Sequence, residues 1–223
     1  MPTIKIAIDG PAGAGKSTLA RLVAEHFHFL YVDTGALYRA VGLYALRRGA
    51  DPKDGGRVVP LLGEIHIELR HEDGVQKVYL NREDVSSQIR TPEVSMAASG
   101  VSAIPEVREF LLGLQKDIAN RSNIVMDGRD IGTVVLPDAQ IKLFLTASPE
   151  DRARRRYEEL AARGSGVSYE EVLADVVRRD RQDESREIAP LKPAKDAVIV
   201  NTTGYELERS LAKLISITKD MLP

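Results

Sequence analysis

Short apolar runs and longer amphipathic stretches alternate along this chain. Thr3 to Ile8 is rich in Ile and stops at Asp9-Gly10, which predicts a buried strand. Ser17 to His28 follows as a helix, with Leu19, Leu22, Val23 and His26 at helical spacing. Phe29 to Val32 predicts a second strand. Ala36 to Arg48 predicts a second helix, with Leu37, Ala40, Val41 and Tyr44 on one face and Gly49 placed to end it. Asn123 to Met126, Ile141 to Leu145 and Ala197 to Val200 predict three more strands. A helix starts at Ser148-Pro149, with Asp151 at the capping-box position, and ends near Arg163-Gly164. Ser168 with Glu171 forms a second capping box for a helix to about Asp183. Leu207, Leu211, Leu214, Ile215 and Thr218 predict a last amphipathic helix. Five short apolar strands alternating with helices imply an α/β fold, its parallel sheet covered on both faces. Ligands of such a sheet sit at the carboxyl ends of its strands.

The middle of the chain changes character. Residues 51–63 hold several Gly and two Pro and read as loop. Ile65, Ile67 and Leu69 then alternate with polar residues, Asp73-Gly74 makes a turn, and Val78 and Leu80 alternate again. This is a hairpin with one buried face. Thr91-Pro92 offers an N-cap and an N1 proline for a short helix. Pro105 to Asn120 is helical, with Val107, Phe110, Leu111, Leu114 and Ile118 in phase. The hairpin interrupts the strand–helix alternation, so residues 63–102 read as a subdomain inserted into one domain spanning 1–223.

Composition narrows the class. The 223 residues are 43% hydrophobic and 29% charged, ordinary for a globular protein, and without Trp the core must be mostly aliphatic. A formal net charge of -2 argues against a general nucleic-acid binder. The absence of Cys excludes disulfides and thiolate chemistry and fits a cytoplasmic protein. The N-terminal apolar run is too short for a signal peptide, and no segment approaches the roughly 18 apolar residues of a membrane span.

Gly10-Pro11-Ala12-Gly13-Ala14-Gly15-Lys16-Ser17 matches the phosphate-binding P-loop in full. Its glycines let backbone N–H groups approach phosphate oxygens, and the helix that follows, beginning with Ser17-Thr18, points its N-terminus at the anion. Lys16 brings a cation to the β and γ phosphates of ATP, and Ser17 offers a hydroxyl to Mg²⁺. The predicted strand before the loop and helix after it supply the required context.

Other strand ends carry matching chemistry. After the second strand, Thr34 and Arg39 put a hydroxyl and a guanidinium where a second phosphate could meet them. The third strand ends in Asp127-Gly128-Arg129-Asp130. Asp127 is placed to hold the Mg²⁺ shell, Arg129 to bind phosphate, and Asp130 to accept from an amino group. Arg152, Arg155 and Arg156 share a helix face, and Arg178, Arg179, Arg181 and Arg186 follow. Their acidic neighbours also allow a solvated, salt-bridged surface. Two highly charged phosphates must meet in such a site, which favours a mobile Arg-rich lid over residues 152–186. No general base stands out. A nucleoside monophosphate needs none, because its second phosphate pKa is about 6.

Over nearly its whole length the sequence resembles the bacterial cytidylate kinase family. The resemblance rests on IDGPAGAGKST, DTGALYR, IRTPEV, the AAS of residues 97–99, PEVRE, DGRDIGTVV and ESREIAPL. It implies ATP-dependent phosphorylation of CMP and dCMP with Mg²⁺. Thr34, Arg39 and Arg129 then look like ligands of the CMP phosphate, and Ser99, Arg108 and Asp130 like readers of cytosine. Arg179 and Asp183 look like sugar contacts, with Arg186 near the phosphate. Arg152 and Arg156 resemble lid arginines that reach the ATP phosphates, acting in catalysis beside Lys16 and Arg129. A monomer working on small molecules, without nucleic-acid or membrane partners, is expected. The alternatives are a kinase of another small acceptor, such as another nucleoside monophosphate, a nucleoside or a shikimate-like hydroxyl, and a nucleotide-dependent switch. The absence of an NKxD motif counts against a GTPase switch.

Overall fold

The computed structural model describes residues 3–72, 75–162 and 164–222. They form two compact units, one of Met1–Tyr31 with Ser122–Pro223, the other of Val32–Arg121.

The first unit carries most of the central sheet. Strands β1 (Lys5–Asp9), β2 (Leu30–Asp33), β6 (Ile124–Gly128), β7 (Ile141–Thr146) and β8 (Val198–Asn201) run in the order β2-β6-β1-β7-β8. β1 pairs in parallel with both β6 and β7, and β7 with β8. Ile6, Ala7 and Ile8 have no exposed surface, because a central strand is covered on both faces. Asp9 stands opposite Gly128 in this register. Helices α1 (Lys16–Phe27) and α8 (Leu207–Met221) pack together, with Leu19, Val23 and Leu214 in the core. Two expected helix faces shift slightly. His26 is exposed and Phe27 packs in its stead, while Leu207 is exposed and Ile217 packs. Gly10 is obligatory, since a Cβ there would lie 1.9 Å from the Leu145 carbonyl oxygen.

Helices α6 (Pro149–Ala162) and α7 (Tyr169–Glu184) pack on each other around Ala153, Val172 and Val176. The Ser168–Glu171 capping box is complete. At Ser148 only half forms. Its hydroxyl accepts from the Asp151 amide, but the Asp151 carboxylate turns to Arg154 and Arg155. Arg163 lies outside the described residues.

In the second unit, α2 (Thr34–Arg47) packs on α4 (Pro92–Val101), and α5 (Pro105–Ala119) completes an aliphatic core around Leu37, Val41, Val101 and Leu111. Thr91 caps α4 by accepting from the Val94 amide. The hairpin is β3 (Ile67–Glu72) with β4 (Val75–Leu80), joined by a short third strand, β5 (Glu83–Asp84), that alternation did not predict. The expected Asp73-Gly74 turn lies outside the described residues. The loop expected over 51–63 is largely helical. A single turn, α3 (Gly55–Val58), continues as a 3-10 helix over Val59–Glu64. Tertiary burial overrides the Gly and Pro content there, with Val58 fully buried and Leu61 and Leu62 packed on the same core.

Among the described residues, no helix is long and apolar enough to cross a membrane.

Candidate functional site

The P-loop runs from the carboxyl end of β1 to the first turn of α1. Gly13 and Gly15 hold left-handed backbone, with φ of 75° and 81°. Lys16 is only 5% exposed, and its Nζ donates to the Pro11 carbonyl at 2.8 Å. Burial, and then the charge of Arg129, lower its pKa to about 7. Ser17 Oγ donates to Asp127 Oδ2 at 2.9 Å, so the two predicted metal-binding residues do meet. Tyr31, from β2, donates its hydroxyl to Asp127 Oδ1 at 2.9 Å. The two Asp127 oxygens are thereby held from different sides, one by the first turn of α1 and the other by β2.

Further along the first unit, Arg129 donates through Nε to Asp183 Oδ2 at 2.9 Å. Arg186 donates to the other oxygen of the same carboxylate. Burial acts to raise the Asp183 pKa, but the two arginines more than offset it and hold the carboxyl below its usual range. Arg186 Nε is buried and finds no hydrogen-bond partner among the described residues. Asp130 is buried at the mouth of a π-helical turn, Ile131–Val135, which strand-and-helix periodicity did not predict. Arg179, one turn before Asp183 on α7, pairs with Asp175 at 2.8 Å.

The lid arginines separate. Arg152 points inward, with 3% exposure. It donates through Nε to the Ala147 carbonyl at 2.9 Å, through one terminal nitrogen to the Ala12 carbonyl and Asp180 at 2.9 Å each, and through the other to Asp180. Arg155 anchors the Thr202 carbonyl at 2.8 Å. Arg156 pairs with Glu159 on the surface at 2.7 Å. The three share a face of α6, as their spacing predicts, but their partners differ, Asp180 holding Arg152 inward while Arg156 stays at the surface.

In the second unit, Thr34 is buried at the first turn of α2. Asp33 caps that helix by accepting from the Ala36 amide at 3.1 Å, and it also accepts from Arg39 at 2.5 Å. Arg39 Nε is buried without a hydrogen-bond partner among the described residues. Such donors, already desolvated, suit an anion. Ser99 and Arg108 converge on Ser102, whose hydroxyl donates to the Ser99 carbonyl at 3.0 Å and whose carbonyl accepts from Arg108 at 3.3 Å.

Sequence reasoning missed three residues here. Asp180 read as one of several solvating acids, and nothing local announces a partner 28 residues away. Tyr31 carried a weak signal, a hydroxyl in an apolar strand. Asp9 read only as the end of β1. It is 4% exposed and accepts from the Ile131 amide at 2.8 Å and the Gly132 amide at 2.7 Å. Burial pushes its carboxyl from 3.8 up to about 6, against the pull of the two amides. The folded-state pKa is the higher one, so its contribution to stability is fully present below about 3.8 and is lost as pH rises through about 6. The loss is about 3 kcal/mol. Urea unfolding of wild type and Asp9→Asn between pH 4 and 7 should therefore move against wild type by about that amount as pH rises. A pH-independent difference would contradict the raised pKa.

The sheet order, the loop at the end of β1 and the Lys16–Ser17–Asp127 set define a P-loop nucleotide-binding protein of the α/β class. The family model for cytidylate kinase matches residues 6–220. The cytidylate kinase of Carboxydothermus hydrogenoformans is 52% identical over 96% of both chains. That of Caldanaerobacter subterraneus subsp. tengcongensis is 54% identical over 95% of this chain and 93% of its own. An uncharacterized protein from Eubacterium ventriosum shares the fold alone, at 14% identity and a TM-score of 0.56 over 98% of this chain and 99% of its own. The chain belongs to the cytidylate kinase family.

Proposed function

We propose that the protein transfers the γ-phosphoryl group of ATP to CMP and dCMP, giving ADP and the pyrimidine nucleoside diphosphates. The observation that carries this is the P-loop lysine beside a Ser17–Asp127 pair in a chain of this family. Lys16 contacts the β and γ phosphates, where an anion favours its charged form. Ser17 and Asp127 fit Mg²⁺, a hard cation usually held by one or two carboxylates together with phosphates and water. Bound there, it would neutralise phosphate charge and polarise the transferred group. The CMP phosphate, ionised near neutral pH, attacks in line without a base.

The remaining roles belong to the same reading. Thr34, Arg39 and Arg129 hold the acceptor phosphate, and Arg186 lies near it. Ser99, Arg108 and Asp130 read cytosine, whose amino group is a donor that a carboxylate accepts. Arg179 and Asp183 serve the sugar, with Arg179 first leaving Asp175. Residues 63–102 act as the acceptor-binding insert and residues 152–186 as a lid that excludes water. Arg152 and Arg156 reach the ATP phosphates from that lid, Arg152 exchanging Asp180 for phosphate. The enzyme works as a monomer in the cytoplasm.

The test is a coupled ADP-release assay with Mg-ATP and CMP, dCMP, UMP, AMP, GMP, cytidine or shikimate. Turnover is expected with CMP and dCMP and little with the others. Turnover mainly with UMP or AMP would discard the roles of Ser99, Arg108 and Asp130. None with any acceptor, despite ATP binding, would favour a regulatory switch.

A further inference from the structure

The Asp9 carboxylate joins two segments that the reaction uses separately. On one side it directly precedes Gly10, the first residue of the P-loop. On the other it accepts from two consecutive amides, Ile131 and Gly132, which open the π-helical turn after Arg129-Asp130. A helical turn leaves its first N–H groups without internal partners, and here one carboxylate takes both. The turn closes behind them through Val134 and Val135 donating to the Asp130 carbonyl at 2.8 and 3.2 Å and Leu136 donating to Ile131 at 2.6 Å. Asp130 therefore sits between a strand end and a turn whose entry is fixed by Asp9.

The fit around this contact is tight. A Cβ at Gly132 would lie 3.4 Å from Asp9 Oδ2 and 3.2 Å from Lys142 Cδ. The Lys142 stem has little room to give, since its Nζ is held by the Pro137 carbonyl at 2.7 Å and by Asp196 at 2.7 Å. A neutral amide does not reproduce Asp9, because the two N–H groups go to different carboxylate oxygens and Asn would set an NH2 donor against one of them.

We propose that Asp9 is a positioning residue for acceptor recognition, setting Arg129 and Asp130 against the P-loop by holding the turn that follows them. This rests on the reading of Asp130 as a base-selecting group. The mechanism is geometric, and small displacements of a substrate-orienting group are costly.

Steady-state kinetics of Asp9→Asn and Gly132→Ala, beside Asp130→Asn, test it. For the first two, KM for CMP should rise about tenfold or more while KM for ATP moves less than about twofold, and the preference for CMP over UMP should narrow. Urea midpoints taken in parallel separate this from loss of folded protein. An unchanged KM for CMP, or a drop in kcat that merely follows the folded fraction, overturns the proposal. So does failure of both variants to fold, which would make the contact purely structural. If Asp130→Asn narrows the CMP preference and neither other variant does, the positioning role alone is wrong. If Asp130→Asn leaves that preference intact, the reading of Asp130 fails and takes the positioning role with it.

Discussion

Replacing Lys16 with alanine lowers kcat by about 100- to 1000-fold, the range for removing one preorganised charge from a transition state, and leaves the urea midpoint close to wild type. The two halves of this expectation have one cause. Lys16 is buried, and its lowered pKa means that folding disfavours its charged form. In the loop its Nζ donates to the Pro11 carbonyl. The side chain is thus held at a cost that binding of an anion offsets, and its removal takes little from the free protein. Parallel measurement of kcat and urea unfolding checks both. A rate within tenfold of wild type would sink the assignment, and so would a collapse of the midpoint.

Arg152→Ala has the opposite profile. It destabilises the protein by about 3 kcal/mol or more, as expected when one member of a buried ion pair is removed and the other left behind. The change strands Asp180 and removes the donors of the Ala147 and Ala12 carbonyls. Since Ala12 lies in the P-loop, KM for ATP should rise in the fraction that remains folded. Arg156→Ala is the control. Arg156 is 39% exposed and pairs with an equally accessible Glu159, so its pair contributes about 1 kcal/mol at most. A loss of rate there would reflect direct contact with phosphate. Full stability of Arg152→Ala by urea or thermal unfolding would mean that the Asp180 pair carries no weight in the fold.

The features legible in the sequence are those fixed by near neighbours. The P-loop, the short apolar strand segments and the caps at Thr91 and Ser168 each depend on residues a few positions apart, and each forms as the sequence predicts. The Ser17–Asp127 meeting was also foreseeable, because it follows from putting two strand ends side by side. Elsewhere the deciding partner is distant. Arg152 looks like its neighbours Arg155 and Arg156 until Asp180 is packed against it. The helical turns over 55–64 come from burial of Val58 and not from propensity. The π-helical turn depends on Asp9, which lies 122 residues from Ile131. Periodicity carries no record of such contacts.

That separation also orders events during synthesis. The apolar strand β1 leaves the ribosome well before its sheet neighbours β6 and β7, which follow only after the whole of Val32–Arg121 has been made. At translation rates of about 5–20 residues per second, β1 waits roughly 6–25 seconds with both hydrogen-bonding edges unpaired. The compact unit between them in sequence builds its core without any residue of β6 or β7. The interval leaves β1 open to wrong pairing or chaperone capture, although in the finished protein it is the central strand of the sheet.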